Sequence, residues 1–331
     1  MMGTKISGFG FYVPDNIVTN FDLEKKFDTS NEWIIERTGI QERRFITPNE
    51  TSTSDLSVKA AIKALKMANT MPEDLDLIIS ATLSSDYNIP GMGVIIQDKL
   101  GCKDIPAIDI RQQCSGFIYG LDLADLYIKS GRYKKILLIG AEIQSTGLNL
   151  TDKGRDLAVL FGDGAGAFVL ENSQDNSDII DSILHSDGKY YKELWKESPN
   201  STQAGRIVIE DIRNGKVYPK MNGRTVFKHA VTKMPAVVLE LLKRNNITKE
   251  DITQIIPHQA NFRITQMVAK RLGLSMDKVY SNIHKYGNTT AATIPIAFTE
   301  AYNEEKFKRG DLVITVSFGS GFTWGANLIK F

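Results

Sequence analysis

The chain has 331 residues, 42% of them hydrophobic, enough for a substantial core in one large or duplicated domain. Its 40 Lys and Arg against 39 Asp and Glu leave it near neutrality, so no whole-chain attraction to nucleic acid or to an anionic membrane is expected, and any basic docking surface must be local. No run of 18 apolar residues occurs, so no membrane insertion is expected; the two cysteines, Cys102 and Cys114, lack the spacing of a redox or zinc pair.

The opening MMGTKISGFGFYVPDN lacks the charged, apolar and cleavage regions of a signal peptide, and a cytoplasmic location is expected. In DTSNEWIIERTG, Asp28, Thr29 or Ser30 caps a helix that sets Trp33 and Arg37 one turn apart. Such a pair can hold a flat ring and meet phosphate, although a half-buried Trp beside a surface Arg is the plainer reading of those two residues alone. An amphipathic helix follows, LSVKAAIKALKMA, then the strand LDLIISATL, a helix ending VIIQDKLG, the strand IPAIDI, and a helix opened by Cys114 in CSGFIYGLDLADLYIKSG. The buried strands of YKKILLIGAE and FGDGAGAFVLE close a first half. Polar, turn-like ENSQDNSD then divides the chain into residues 1–174 and 175–331. From about 185 to 222, aromatic, Pro and Gly residues mix without a period, as in a functional excursion.

The second half repeats the order: ITQIIPHQA, a helix ending MVAKRLG, the strand KVYSNI, the segment HKYGNTTAATIPIAFTEAYNEEK, then RGDLVITVSFG and FGSGFTWGANLIKF. Strands apolar on consecutive residues are covered on both faces, so the pattern reads as layered α/β. Leu100 and Gly101 precede Cys114 at nearly the separation at which Leu272 and Gly273 precede Asn288. A pseudo-twofold axis between the halves would therefore bring Cys114 and Asn288 together from matching strand ends, with His258 at a third.

A cysteine at a helix N-terminus meets unpaired NH groups and the positive end of the helix dipole, which favour thiolate; free cysteine is equally a common core residue. His258 and Asn288 could hydrogen bond to charge developing on a thioester, while His258 alone could simply cap a strand. The four histidines, at 185, 229, 258 and 284, have no ligand spacing, and no metal site is expected. GFGFYVP, FGDGAGA and FGSGFTWG read as tight hairpin turns rather than nucleotide loops, and NH groups in the last could contribute to an oxyanion hole.

Together these segments resemble the β-ketoacyl-acyl-carrier-protein synthase III family of thiolase-fold condensing enzymes, most specifically in IPHQANFRI, YGNTTAATIP and FGDGAGA. The resemblance implies a duplicated α-β-α-β-α fold. It implies acyl transfer from acyl-CoA to Cys114, then condensation with malonyl-carrier protein and loss of CO2, promoted by His258 and Asn288, without a cofactor. Trp33, Arg37, Arg155, Gly223, Phe227 and Asn261 match coenzyme A positions. The backbones of Cys114 and Ser320 match the oxyanion hole, Arg263 a carrier-protein docking position, and Ile89 a residue reaching the partner's acyl pocket in a homodimer. Gln113 and Ser115 beside the nucleophile, Ser320 in place of glycine, and a long 185–218 segment depart from the usual pattern. They leave the acyl donor open between the initiation step of fatty acid synthesis and a medium-chain or unusual donor in specialised lipid, quinolone or resorcinol biosynthesis. A noncatalytic acyl-CoA or carrier-protein binding module is the alternative of another class.

Overall fold

A computed structural model describes residues 3–174 and 177–331; Asp175, first residue of the expected second half, lies outside them. One sheet holds β1 (Gly3–Tyr12), β2 (Leu77–Ala81), β3 (Ala107–Ile110), β4 (Lys135–Glu142) and β5 (Gly164–Ser173) in the order β1-β5-β4-β2-β3. The other holds β6 (Ile179–Ser186), β7 (Gln254–Pro257), β8 (Leu312–Gly319) and β9 (Thr323–Lys330) in the order β6-β9-β8-β7. The first two pairings of each sheet are antiparallel and the next is parallel, so one topology occurs twice. In the first sheet β3 adds a further parallel ladder on β2.

The counterpart of β3 departs from expectation. KVYSNI forms no strand, only a parallel bridge between Ile255 and Val279. The chain there is broken into short turns, Met276–Lys278 and Ile283–Tyr286, and the Tyr280 and Asn282 side chains are drawn away to Glu300.

Seven helices matter to the layering: α1 (Asn31–Thr38), α2 (Thr53–Ala68), α3 (Met92–Leu100), α4 (Gly116–Lys129), α5 (Gly223–Arg244), α6 (Phe262–Leu272) and α7 (Thr293–Asn303). Helices α4 and α7 lie between the sheets: Phe117, Leu121 and Ile128 of one and Ile294, Phe298 and Ala301 of the other share a cluster with strand residues of both. Phe298 is its hub, with ring centroids 4.9 Å from Phe168, 5.3 Å from Phe9 and 5.4 Å from Phe331. Helices α2 and α3 cover the outer face of the first sheet, α5 and α6 that of the second, completing five layers, α-β-α-β-α.

Two of the three glycine clusters are strands, not hairpin turns. Gly8 and Gly10 lie inside β1, where a Cβ on Gly8 would stand 2.2 Å from the Ala64 carbonyl of α2 and one on Gly10 2.6 Å from the Lys63 Cβ. Gly166, inside β5, faces Pro295 of α7 in the same way, at 2.6 Å. These glycines let helices approach the sheet closely. Only FGSGFTWG makes the expected hairpin, joining β8 to β9.

Candidate active site

Cys114 occupies a short 3₁₀ turn, Gln113–Ser115, that runs into α4, and the second half closes over that turn. The Ser317 hydroxyl donates to the Cys114 carbonyl at 2.8 Å, and the Ser115 hydroxyl to the Thr323 carbonyl at 3.0 Å. A Cβ on Gly319 would stand only 3.1 Å from the Cys114 Cβ. Gln113, entering the turn, has φ +45°, a conformation unfavourable for a side chain and characteristic of constrained sites. In the neighbouring hairpin the left-handed conformation falls on Gly321, at φ +135°, and not on Ser320. Serine is thus tolerated, and its hydroxyl donates to the Leu194 carbonyl.

The thiol differs from expectation. Cys114 is 6% exposed, and burial, reinforced by the nearby Glu142 carboxylate, pushes it up to about 12. The resting side chain is a neutral thiol, because desolvation outweighs what a helix terminus offers. Glu142, wholly buried at the end of β4, accepts on one oxygen from the Thr82 hydroxyl, the Leu83 and Ser84 NH groups and the Ser84 hydroxyl, at 2.6–3.0 Å. Its other oxygen has no hydrogen-bond partner among the described residues, and burial raises the carboxyl to about 7 against the pull of those donors.

His258 follows β7, its NH donating to the Val316 carbonyl at 2.8 Å, and burial lowers its imidazole to about 3, so it rests neutral. Its Nδ1 lies 2.6 Å from the Thr293 hydroxyl, which is also 3.0 Å from the Thr290 carbonyl. A hydroxyl has one proton. Given to Thr290, it leaves Nδ1–H donating and Nε2 a base; given to Nδ1, it leaves Nε2–H a donor. Asn288 accepts on Oδ1 from the Thr290 NH at 2.8 Å, which fixes the amide and leaves its NH2 for the cavity it lines. Buried Gln259 rivets this wall: it donates to the Pro257 carbonyl at 2.7 Å and accepts from the Ser281 hydroxyl at 2.9 Å.

Cys114, His258 and Asn288 line one cavity of about 1360 Å³, together with Trp33, Arg37, Gly223, Phe227, Asn261 and Ser320. The Asn261 side chain is already engaged, capping α6 through the Arg263 NH and donating to the Arg37 carbonyl, both at 2.9 Å. Trp33 is flanked by guanidiniums, Arg37 at 4.5 Å and Arg155 at 4.8 Å from its ring centroid. Arg155 therefore reaches the site by covering Trp33 and does not line the cavity itself. Arg263 is exposed outside the cavity, and Ile89 is 86% exposed on a loop. Thr293, Ser317 and Glu142 were not anticipated; the run NTTAATIP, with its hydroxyls in register behind Asn288, was the available signal for Thr293.

The model of the 3-oxoacyl-[acyl-carrier-protein] synthase III C-terminal region matches residues 242–331, and that of the synthase III proper residues 108–188. The β-ketoacyl-[acyl-carrier-protein] synthase III of Aquifex aeolicus is 46% identical over 330 residues, covering all of both chains, and that of Caldanaerobacter subterraneus subsp. tengcongensis is 46% identical over 325 residues, 98% of this chain and 97% of its own. The chain belongs to the 3-oxoacyl-[acyl-carrier-protein] synthase III family. The crystal structure of the Aquifex aeolicus synthase III superposes with a TM-score of 0.91 at 45% identity, covering 99% of this chain and 100% of that one. The priming β-ketosynthase of the R1128 polyketide pathway superposes at 0.90 with 28% identity, covering 99% and 96%. As a synthase III, the chain is a condensing acyltransferase of thiolase-like fold, as its sequence led one to expect. No helix among the described residues is long and apolar enough to cross a membrane.

Proposed function

We propose that Cys114 carries the acyl group and that His258 and Asn288 drive the decarboxylative step of the synthase III reaction. The Cys114 sulfur attacks the carbonyl of an acyl-CoA; the S–C bond to cysteine forms, the bond to the coenzyme sulfur breaks, and the thiol proton passes by way of His258 Nε2 to the departing coenzyme. Malonyl-carrier protein then loses CO2. The electrons of the broken C–C bond pass through the enolate to form the new bond to the acyl carbon, the bond from that carbon to Cys114 breaks, and the departing thiolate takes up a proton from solvent to restore the resting thiol. Asn288 NH2 and His258 Nε2–H face the enolate oxygen, the latter once the Thr293 hydroxyl turns its proton to Nδ1. The Cys114 and Ser320 NH groups serve as the oxyanion hole for the tetrahedral intermediates. Acyl-CoA is a substrate here, and the reaction so written consumes no cofactor.

The observation that carries this reading is the convergence of Cys114, His258 and Asn288 on one cavity from two sheets. Coenzyme A would lie along Trp33, Arg37, Gly223, Phe227 and Asn261, with Arg155 over its ring, and exposed Arg263 would meet the acidic carrier. Strand β3 leaves one edge unpaired among the described residues, and exposed Tyr87, Ile89, Val94 and Leu126 support a homodimer in which Ile89 reaches the partner's acyl pocket. Residues 1–174 and 175–331 would be the two duplicated units, and the enzyme would work in the cytoplasm.

Incubation with acetyl-CoA or octanoyl-CoA, read by intact mass, tests it. An acetyl adduct on Cys114 discharged by malonyl-carrier protein is expected. An octanoyl adduct without an acetyl one would replace the initiation step by a longer-chain donor, and full condensation by Cys114→Ser would remove the nucleophile assignment.

A further inference from the structure

The wall beside Cys114 carries two cations, Arg111 and Lys196, that form no ion pair among the described residues. Arg111 stands three residues before Cys114, at the end of β3, so its Cα lies within about 10 Å of the nucleophile's. Lys196 ends the short strand Leu194–Lys196, which Ser320, next to Gly319 on the Cys114 turn, holds through the Leu194 carbonyl. Both side chains line the Cys114 cavity, as does Gln113 between Arg111 and the nucleophile. Burial and the Arg111 guanidinium together lower the Lys196 ammonium, so the two cations are near enough to repel each other. Neighbouring cations are paired: Lys216 and Lys220 meet Glu197 at 3.2 and 2.7 Å. Arg111 and Lys196 have no such partner among the described residues; Asp109 and Asp122 share an adjoining cavity with Arg111 but form no ion pair with it.

Two like charges held together without a counter-charge cost stability unless an anion completes the site. Coenzyme A brings phosphates, but when its thioester is at Cys114 the pantetheine arm sets them far off, toward the Trp33 and Arg37 wall. On the acyl-transfer reading, the acyl group is the part of the donor left beside Cys114, three residues from Arg111. We propose that Arg111 and Lys196 form an acceptor for a carboxylate at the far end of the acyl chain, so that this enzyme loads the CoA monothioester of a short dicarboxylic acid onto Cys114. A guanidinium takes a carboxylate in paired hydrogen bonds and an ammonium adds a point charge. The transfer is the thioester exchange written above, with the carboxylate a spectator. The inference rests on the acyl-transfer reading of Cys114.

The test compares glutaryl-CoA with pentanoyl-CoA, donors of equal carbon number that differ in the terminal charge, by rate of adduct formation in intact mass spectra. The wild-type enzyme should load glutaryl at least as fast as pentanoyl, and Arg111→Gln and Lys196→Met should each lower the glutaryl-to-pentanoyl ratio at least tenfold. Pentanoyl loading without glutaryl loading overturns the carboxylate acceptor and leaves the acyltransferase reading standing; no adduct from any donor, acetyl-CoA included, sinks both. If both donors slow equally in the variants, the cations act on the coenzyme or on the fold and the proposal falls. Lys196→Met, on the excursion rather than at the sheet edge, keeps the test open should Arg111→Gln fail to fold.

Discussion

In the first half the edge strand β3 is a full ladder partner of β2 and runs into the turn that holds Cys114; in the second half the same position is one bridge at Val279, and the chain beyond it winds through Tyr280 and Tyr286 to Asn288. Glu300 of α7 takes up that winding segment, accepting from Tyr280, Asn282, Lys285 and Tyr286 at 2.7–3.2 Å. An edge with an intact ladder can pair with another strand, whereas one dissolved into side-chain hydrogen bonds is closed to addition. One topology thus occurs twice, and the difference at the two edges leaves Cys114 on one side and the fixed polar pair His258 and Asn288 on the other.

That division can be broken half by half. Cys114→Ala should abolish the acyl adduct and lower condensation by at least ~10³-fold, as loss of a covalent nucleophile does, measured by intact mass and CO2 release. Replacing His258 by Ala should act on both steps unequally: the condensation rate falls ~10²- to 10³-fold, and adduct formation slows for want of the base that takes the thiol proton, while the Cys114 adduct still accumulates in an overnight incubation. Fast adduct formation in this variant would remove His258 from the acyl-transfer step. Thr293→Val, which removes the hydroxyl that chooses between the two ring nitrogens, should cost up to about tenfold in kcat, with Thr293→Ser restoring it. A pH-rate profile tells this from simple loosening, since only the tautomer role shifts its limbs.

A last expected effect, on folding rather than on rate, concerns the first half. Glu142 is raised from 4.5 to about 7, so its folded-state protonation is fully favourable below pH 4.5 and is lost as pH rises through 7. Relative to Glu142→Gln, the wild-type chain should lose stability by roughly 1 kcal/mol per pH unit across that window, read from urea midpoints at pH 5 and pH 8. A difference between the two proteins that is the same at pH 5 and pH 8 would mean that the carboxyl titrates alike in the folded and unfolded chain.

The doubled order of elements was legible because buried strands such as KILLIG and DLVITV are apolar on every residue and alternate with helical periods. GFGFY was misread because glycines two apart suit a turn as well as a strand; what decides between them is the nearness of Ala64 and Lys63 on α2, fifty residues on. KVYSNI failed for a similar reason: its β-branched, aromatic character was overridden by Glu300, which collects the very side chains that a ladder would have left outward. At the site, the residue types of Cys114, His258 and Asn288 were readable. The protonation of the thiol was not, since Gly319 packs against it and Glu142 lies near it, on strands far along the chain.

The stacking of Arg155 on Trp33 has a kinetic meaning. Arg155 is tethered by the Asp28 carbonyl at 2.9 Å and rests on an indole face that an arriving planar ring would need. If coenzyme A binds as proposed, its ring exchanges with a guanidinium rather than with water, and the departing ring leaves to a side chain waiting to resettle. The mouth of the cavity would then carry its own competitor for that ring.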